Sequence, residues 1–170
     1  MFRSYKKGRP VLKIPRSRLE IIIEVIAVLG ILAHALLLIH YWPALPDVIP
    51  THFGISGEAD GWGSKSSLVL LLAVNIGLYL MMTVLNFFPQ TFNYIVEITE
   101  KNAREQYYYA RLMMNFVKVE IVWIFAYIEW GTIQVALGKA SGLDGTVMLS
   151  FIIAMTVTTL YFIWRSYGIG

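Results

Sequence analysis

The sequence predicts an all-α fold: an integral membrane four-helix bundle with a structured extracytoplasmic loop between its first two helices. Three observations carry that expectation. Of 170 residues, 57% are apolar and only 15% are charged, where a soluble domain has roughly 25% charge. Four stretches are long and apolar enough to cross about 30 Å of hydrocarbon, which takes about 20 helical residues. The basic residues cluster on one side of those stretches and nearly vanish from the other. This composition excludes an ordinary soluble enzyme and a disordered polar chain. The lack of cysteine excludes a disulfide framework, a thiol nucleophile and a thiolate metal site.

The chain opens with a basic tail, residues 1–19, holding Arg3, Lys6, Lys7, Arg9, Lys13, Arg16 and Arg18. Pro10 and Pro15 oppose a helix there. The first span is residues 21–41. Its basic start and the Ala33-His34-Ala35 segment resemble a secretory signal with its cleavage site. The apolar run continues through Leu36–Ile39, so the expectation is an uncleaved first helix. The spans at residues 68–88 and 147–164 contain no charge, whereas the span at 116–137 contains Lys118, Glu120 and Glu129. β-Branched residues are common in all four, but the runs are too long for strands and lack two-residue alternation. Irregular backbone cannot face lipid, so the spans are read as helices.

Lys and Arg set orientation. Beyond the tail, the connection 89–115 carries Lys101, Arg104 and Arg111, and Arg165 follows the fourth span. The other two connections hold only Lys65 and Lys139. Both termini are therefore expected in the cytoplasm of a multi-pass protein. The tail explains most of the net charge of +3, so no nucleic-acid partner is expected. The expected partner is the lipid bilayer, whose anionic head groups attract basic residues by about 1 kcal/mol each.

Pro89 ends the second helix. Asn102 with Glu105 has capping-box spacing, and Glu97–Lys101 and Glu100–Arg104 have favourable i,i+4 spacing. The third helix is expected to run from near Asn102 to about Leu137, on the order of 50 Å. Its first turns would stand in the cytoplasm, with Tyr107, Tyr108 and Tyr109 near the interface. That extension is a candidate docking surface for a cytoplasmic partner, or else a solvated helix end.

The loop at 42–66 is long for a helix connection. Pro43, Pro46 and Pro50 stiffen its first half, and Gly54, Gly57, Gly61 and Gly63 permit tight turns in its second. A compact cap is expected, with Ile49, Phe53, Ile55 and Trp62 on its buried side. Its ionisable groups are Asp47, His52, Glu58, Asp60 and Lys65.

The segment Leu45-Pro46-Asp47-Val48-Ile49-Pro50-Thr51-His52-Phe53, followed by Gly57-Glu58-Ala59-Asp60-Gly61-Trp62-Gly63-Ser64-Lys65, resembles a bacterial signature. It is similar to the domain of unknown function at the start of SdpI-type membrane proteins. The resemblance implies a bacterial cytoplasmic membrane and a binding, immunity or sensor role, since that family includes an immunity and signalling protein against a secreted toxin. It also points to Asp47, Pro50, His52, Phe53, Glu58, Asp60 and Lys65 as candidate ligand-binding residues. Immunity-type members carry a G-x-R-T-P-W segment in a second half, which this chain does not contain.

Ionisable groups within spans are costly and are functional candidates by default. His34 lies roughly 10 Å below the outer end of the first helix, and Asn75 and Glu129 about 12 Å below the ends of theirs. Three polar side chains from three helices are thus expected at one level. A second layer holds Glu20 and Glu24 beside Lys118 and Glu120, with Glu24–Lys118 the favoured ion pair. Met81, Met82, Met113 and Met114 suit packing rather than a soft-metal site.

Three functional readings follow. In the first, the loop recognises an extracytoplasmic peptide or lipid, and His52 tunes binding with pH. In the second, His34, His52, Glu58, Asp60 and Glu129 hold a divalent metal, as in a metal-dependent membrane enzyme. In the third, Glu24, Lys118 and Glu129 serve a small transporter subunit. A purely structural alternative has Asp47, His52, Asp60 and Lys65 bonding one another and the loop backbone.

Overall fold

The computed structural model describes residues 8–169. Arg3, Lys6 and Lys7 of the basic tail lie outside them. Helices α1 (Arg18–Tyr41), α2 (Ser66–Leu85), α3 (Ala103–Ala136) and α4 (Gly145–Tyr167) make up the bundle. Three helical segments, Arg18–Ala44, Ser66–Leu85 and Gly145–Tyr167, are long and apolar enough to cross a membrane. The chain is a membrane protein by that measure. α3 is the central helix and makes contact with each of the other three. Its buried residues recur along much of its length, from Ala103 and Tyr107 through Lys118 and Val122 to Glu129 and Ile133.

The loop between α1 and α2 is not only turns. It contains a two-stranded antiparallel hairpin, β1 (Val48–Phe53) and β2 (Ala59–Ser64), so the fold is not strictly all-α. Two of the glycines expected in turns, Gly61 and Gly63, lie within β2 instead. A Cβ on Gly61 would stand 2.9 Å from the Cβ of His52, and one on Gly63 3.0 Å from Thr51. Missing side chains on one strand therefore make room for those on the other. The turn itself uses Gly57, whose φ of +90° favours glycine. Its carbonyl accepts from the Leu143 amide at 2.8 Å, which ties the hairpin to the α3–α4 connection.

The cap also buries a different set from the one expected. Ile49 is fully buried, joining Leu38, Leu45, Leu68 and Ile133 in an apolar cluster beneath the hairpin. Ile55 and Trp62, expected inside, are exposed. Ile55 sits at the tip of the hairpin, and Trp62 stands exposed opposite Pro50 in the register.

At the opposite end, the third helix begins at Ala103, and Asn102 makes no side-chain cap. The Asn102 side chain instead accepts from the Thr99 amide and donates to the Glu97 carbonyl. Glu97, Glu100 and Lys101 precede the helix, so the expected i,i+4 pairs have no helix to sit on. The first α3 turns are not a free extension. Tyr107 is buried and donates to the Pro10 carbonyl at 3.0 Å. Gln106 donates to the Ser166 carbonyl at 2.8 Å. Arg9 reaches across to the carbonyls of Gln90 and Phe92. Burial pushes the Tyr94 and Tyr107 hydroxyls up from their ordinary range. Both therefore remain donors, Tyr94 to the Pro89 carbonyl at 2.9 Å.

Candidate functional site: stacked polar centres within the bundle

Small residues bring α1 against α3. Ala27 and Gly30 lie on the buried stripe of α1. A Cβ on Gly30 would stand 2.6 Å from the Val122 side chain, so glycine permits the close approach. That approach places three side chains from three helices together one turn beyond. His34 (α1), Asn75 (α2) and Glu129 (α3) are all completely buried. The Asn75 Nδ2 group donates to the Val122 carbonyl at 3.3 Å and lies 2.8 Å from His34 Nδ1. On its other side, His34 Nε2 stands 3.2 Å from a Glu129 carboxylate oxygen. That approach is off hydrogen-bonding geometry, and Asn75 Oδ1 and both Glu129 oxygens receive no hydrogen bond.

Further from the hairpin, Lys118 Nζ donates to Glu24 at 2.7 Å and to Thr83 Oγ1 at 3.0 Å. The Tyr79 hydroxyl donates to the other Glu24 oxygen at 2.6 Å. Glu24 and Lys118 thus meet, and α2 supplies two hydroxyls that complete the pair. Glu20 does not join this layer. It caps α1 through the Ser17 amide at 2.7 Å and accepts from Arg111 at 2.6 and 2.8 Å. Arg111 also holds the carbonyls of Ile14 and Pro15, fastening the tail. Glu120 accepts from Thr158 on α4 rather than from a basic partner.

Arg111 was read from the sequence only as a marker of orientation. A signal for its structural role was present, because Arg111, Lys118, Val122 and Glu129 recur at steps of seven, four and seven. Such spacing keeps them on one helix face. Tyr79 and Thr83 were missed as well, although they lie one turn apart and so share a face.

The hairpin residues form separate pairs. His52 Nδ1 lies 2.5 Å from Asp60, and both side chains are exposed, by 73% and 48%. Lys65 reaches Asp47 at 3.1 Å and the ring of Trp42 at 5.4 Å. Glu58 contacts the Ser56 hydroxyl. Pro50 is buried and Phe53 partly buried. The five-residue metal set of His34, His52, Glu58, Asp60 and Glu129 is not assembled. His34 and Glu129 are fully buried in the bundle while His52 and Asp60 are exposed on the hairpin. Among the described residues, no three His, Asp or Glu side chains converge as metal ligands.

The profile of a domain of unknown function, DUF1648, matches residues 28–77. That region contains most of α1, the hairpin and the first half of α2, and includes His34 and Asn75. An uncharacterized protein from Archaeoglobus fulgidus is 37% identical over 76 residues. The match covers 38% of this chain and 42% of the archaeal protein, so the chain spans less than half of that relative. No solved structure matches. Over residues 28–77 the chain is similar to a domain of unknown function, and the similarity stops short of Lys118 and Glu129 on α3.

Proposed function

We propose that this chain is an SdpI-like multi-pass protein of a bacterial cytoplasmic membrane, with both termini cytoplasmic, whose hairpin binds a secreted peptide. The observation that carries the reading is the division of labour within the hairpin. One side is fastened: Ile49 is buried in the apolar cluster, and the turn is bonded to the Leu143 amide. The other side exposes Val48, Ile55, Trp62 and the His52–Asp60 pair. A rigid support with exposed apolar anchors and a few polar groups suits recognition, because little ordering entropy is lost on binding. An exposed aromatic such as Trp62 is a favoured anchor in such surfaces.

The third helix serves as the fourth span in this reading. Its ionisable groups at 116–137 are turned toward partners in the bundle: Lys118 to Glu24, Glu120 to Thr158 and Glu129 to His34. Inward pairing is the condition for charge inside a membrane. The distribution of Lys and Arg then supports the hairpin end as the outer one.

A photoreactive residue in place of Ile55, in full-length protein in intact cells, tests the binding claim. Concentrated peptides from the culture medium should be captured, and His52→Ala with Asp60→Ala should lower the yield about tenfold, a loss of about 1.4 kcal/mol. Capture of lipid alone, or a yield unchanged in a correctly inserted double variant, would contradict the reading.

A further inference from the structure

The His34–Asn75–Glu129 centre differs from the other buried acids in its charge balance. Glu24 faces Lys118 at 2.7 Å and Glu20 faces Arg111 at 2.6 Å, so each of those acids meets a cation. Among the described residues, Glu129 faces an imidazole and no cation. The amide of Asn75 decides which imidazole it is. Its nitrogen is fixed by the Val122 carbonyl, an acceptor, and the same nitrogen lies 2.8 Å from His34 Nδ1. An amide nitrogen has only protons to offer. His34 Nδ1 must then present its lone pair, which places the ring's single proton on Nε2, toward Glu129. The histidine in this arrangement is neutral and cannot balance a carboxylate.

Among the described residues, no other ionisable group faces the centre. From α2 the neighbour is the neutral Asn75. From the hairpin comes the apolar Ile49, while His52 is exposed and lies against Asp60. Glu24 and Glu20 on α1 are engaged with Lys118 and Arg111. On α4, the apolar run 147–164 holds no charged residue, and its phenol, Tyr161, lies near the helix end away from the hairpin. Leu38, Leu68, Ile49 and Ile133 close the centre toward the hairpin. A fully buried carboxylate with a neutral neighbour and no hydrogen bond to either oxygen is too costly to persist as an anion.

We propose that this centre is a binding site for one proton, carried by Glu129 and oriented by His34 and Asn75. The inference is independent of what the hairpin recognises. Once protonated, Glu129 is a neutral acid beside a neutral imidazole, and all the charge in the centre is gone. One proton is added to one carboxylate oxygen, and no other bond changes.

The test uses two readings on the full-length protein in lipid nanodiscs near neutral pH. Nitrogen-15 histidine spectra are recorded on a His40→Gln/His52→Gln variant, altered only at two exposed positions, which leaves His34 as the remaining imidazole. The expected signal is a neutral ring with its proton on Nε2. Infrared spectra of the wild-type protein should show a protonated carboxyl C=O band that is lost in Glu129→Gln. An imidazolium signal from His34 would overturn the proposal, even if Glu129→Gln does not fold. So would a neutral His34 with no carboxylic acid band, which would mean an ionised Glu129.

Discussion

The two polar centres of the bundle look alike in the sequence, since each pairs an acid on one helix with a basic side chain on another. In the structure they solve burial in different ways. The Glu24–Lys118 centre keeps both charges and surrounds them with hydroxyls from Tyr79 and Thr83. The His34–Glu129 centre has an amide nitrogen 2.8 Å from the imidazole and an acid whose oxygens receive no hydrogen bond. The first is self-sufficient as an ion pair and rigidifies three helices. The second, in our proposal, is completed by one added proton. The difference is set by α2, which offers donors to the acid in one centre and a donor to the base in the other.

The largest expected effect comes from breaking the charged centre. Glu24→Gln leaves Lys118 buried without its counter-charge, and removing one partner of a buried pair costs about 3–5 kcal/mol. Thermal or denaturant unfolding in detergent reads that loss. Replacing both Glu24 and Lys118 by Met should restore most of it, because the desolvation of both charges disappears with them. If the double variant were as unstable as the single one, packing rather than charge would account for the centre.

A smaller effect is expected at the neutral centre. Asn75→Leu removes the donor to His34 Nδ1 and to the Val122 carbonyl, leaving a buried acceptor unpaired at about 1–3 kcal/mol. The same variant removes the contact that orients the ring, so the nitrogen-15 signals of His34 should change. Smaller again is Ser17→Ala, which removes the α1 capping box and costs about 1 kcal/mol. It should leave both centres intact and loosen the Glu20–Arg111 contact, read as faster proteolysis near residues 9–17.

Much of this arrangement was legible from helical rise and spacing. Counting residues from the helix ends placed His34, Asn75 and Glu129 at one level, and Glu24 with Lys118 at another. Those counts work because a helix fixes position along its axis regardless of neighbours. What they leave open is which partner each group selects. Arg111 stood in a polar connection and looked like a surface charge, yet the tail folds over it and buries it. The hairpin was hidden because glycine and proline suggest turns, whereas here Gly61 and Gly63 are strand positions emptied to fit His52 and Thr51. Ile55 and Trp62 were expected inside because they are apolar, but strand alternation in β2 turns Trp62 outward and the tip exposes Ile55. The Asn102–Glu105 spacing fitted a capping box, and local bonds to Thr99 and Glu97 took the Asn102 side chain instead.

Glu24→Gln and Glu129→Gln, unfolded side by side under one condition, test the contrast between the centres most directly. Glutamine has nearly the shape of a protonated glutamic acid. Glu129→Gln should therefore stay within about 1 kcal/mol of wild type, while Glu24→Gln falls by about 3 kcal/mol or more. Equal losses in the two variants would mean that Glu129 is held as a carboxylate by a charged His34, and the distinction between the centres would not stand.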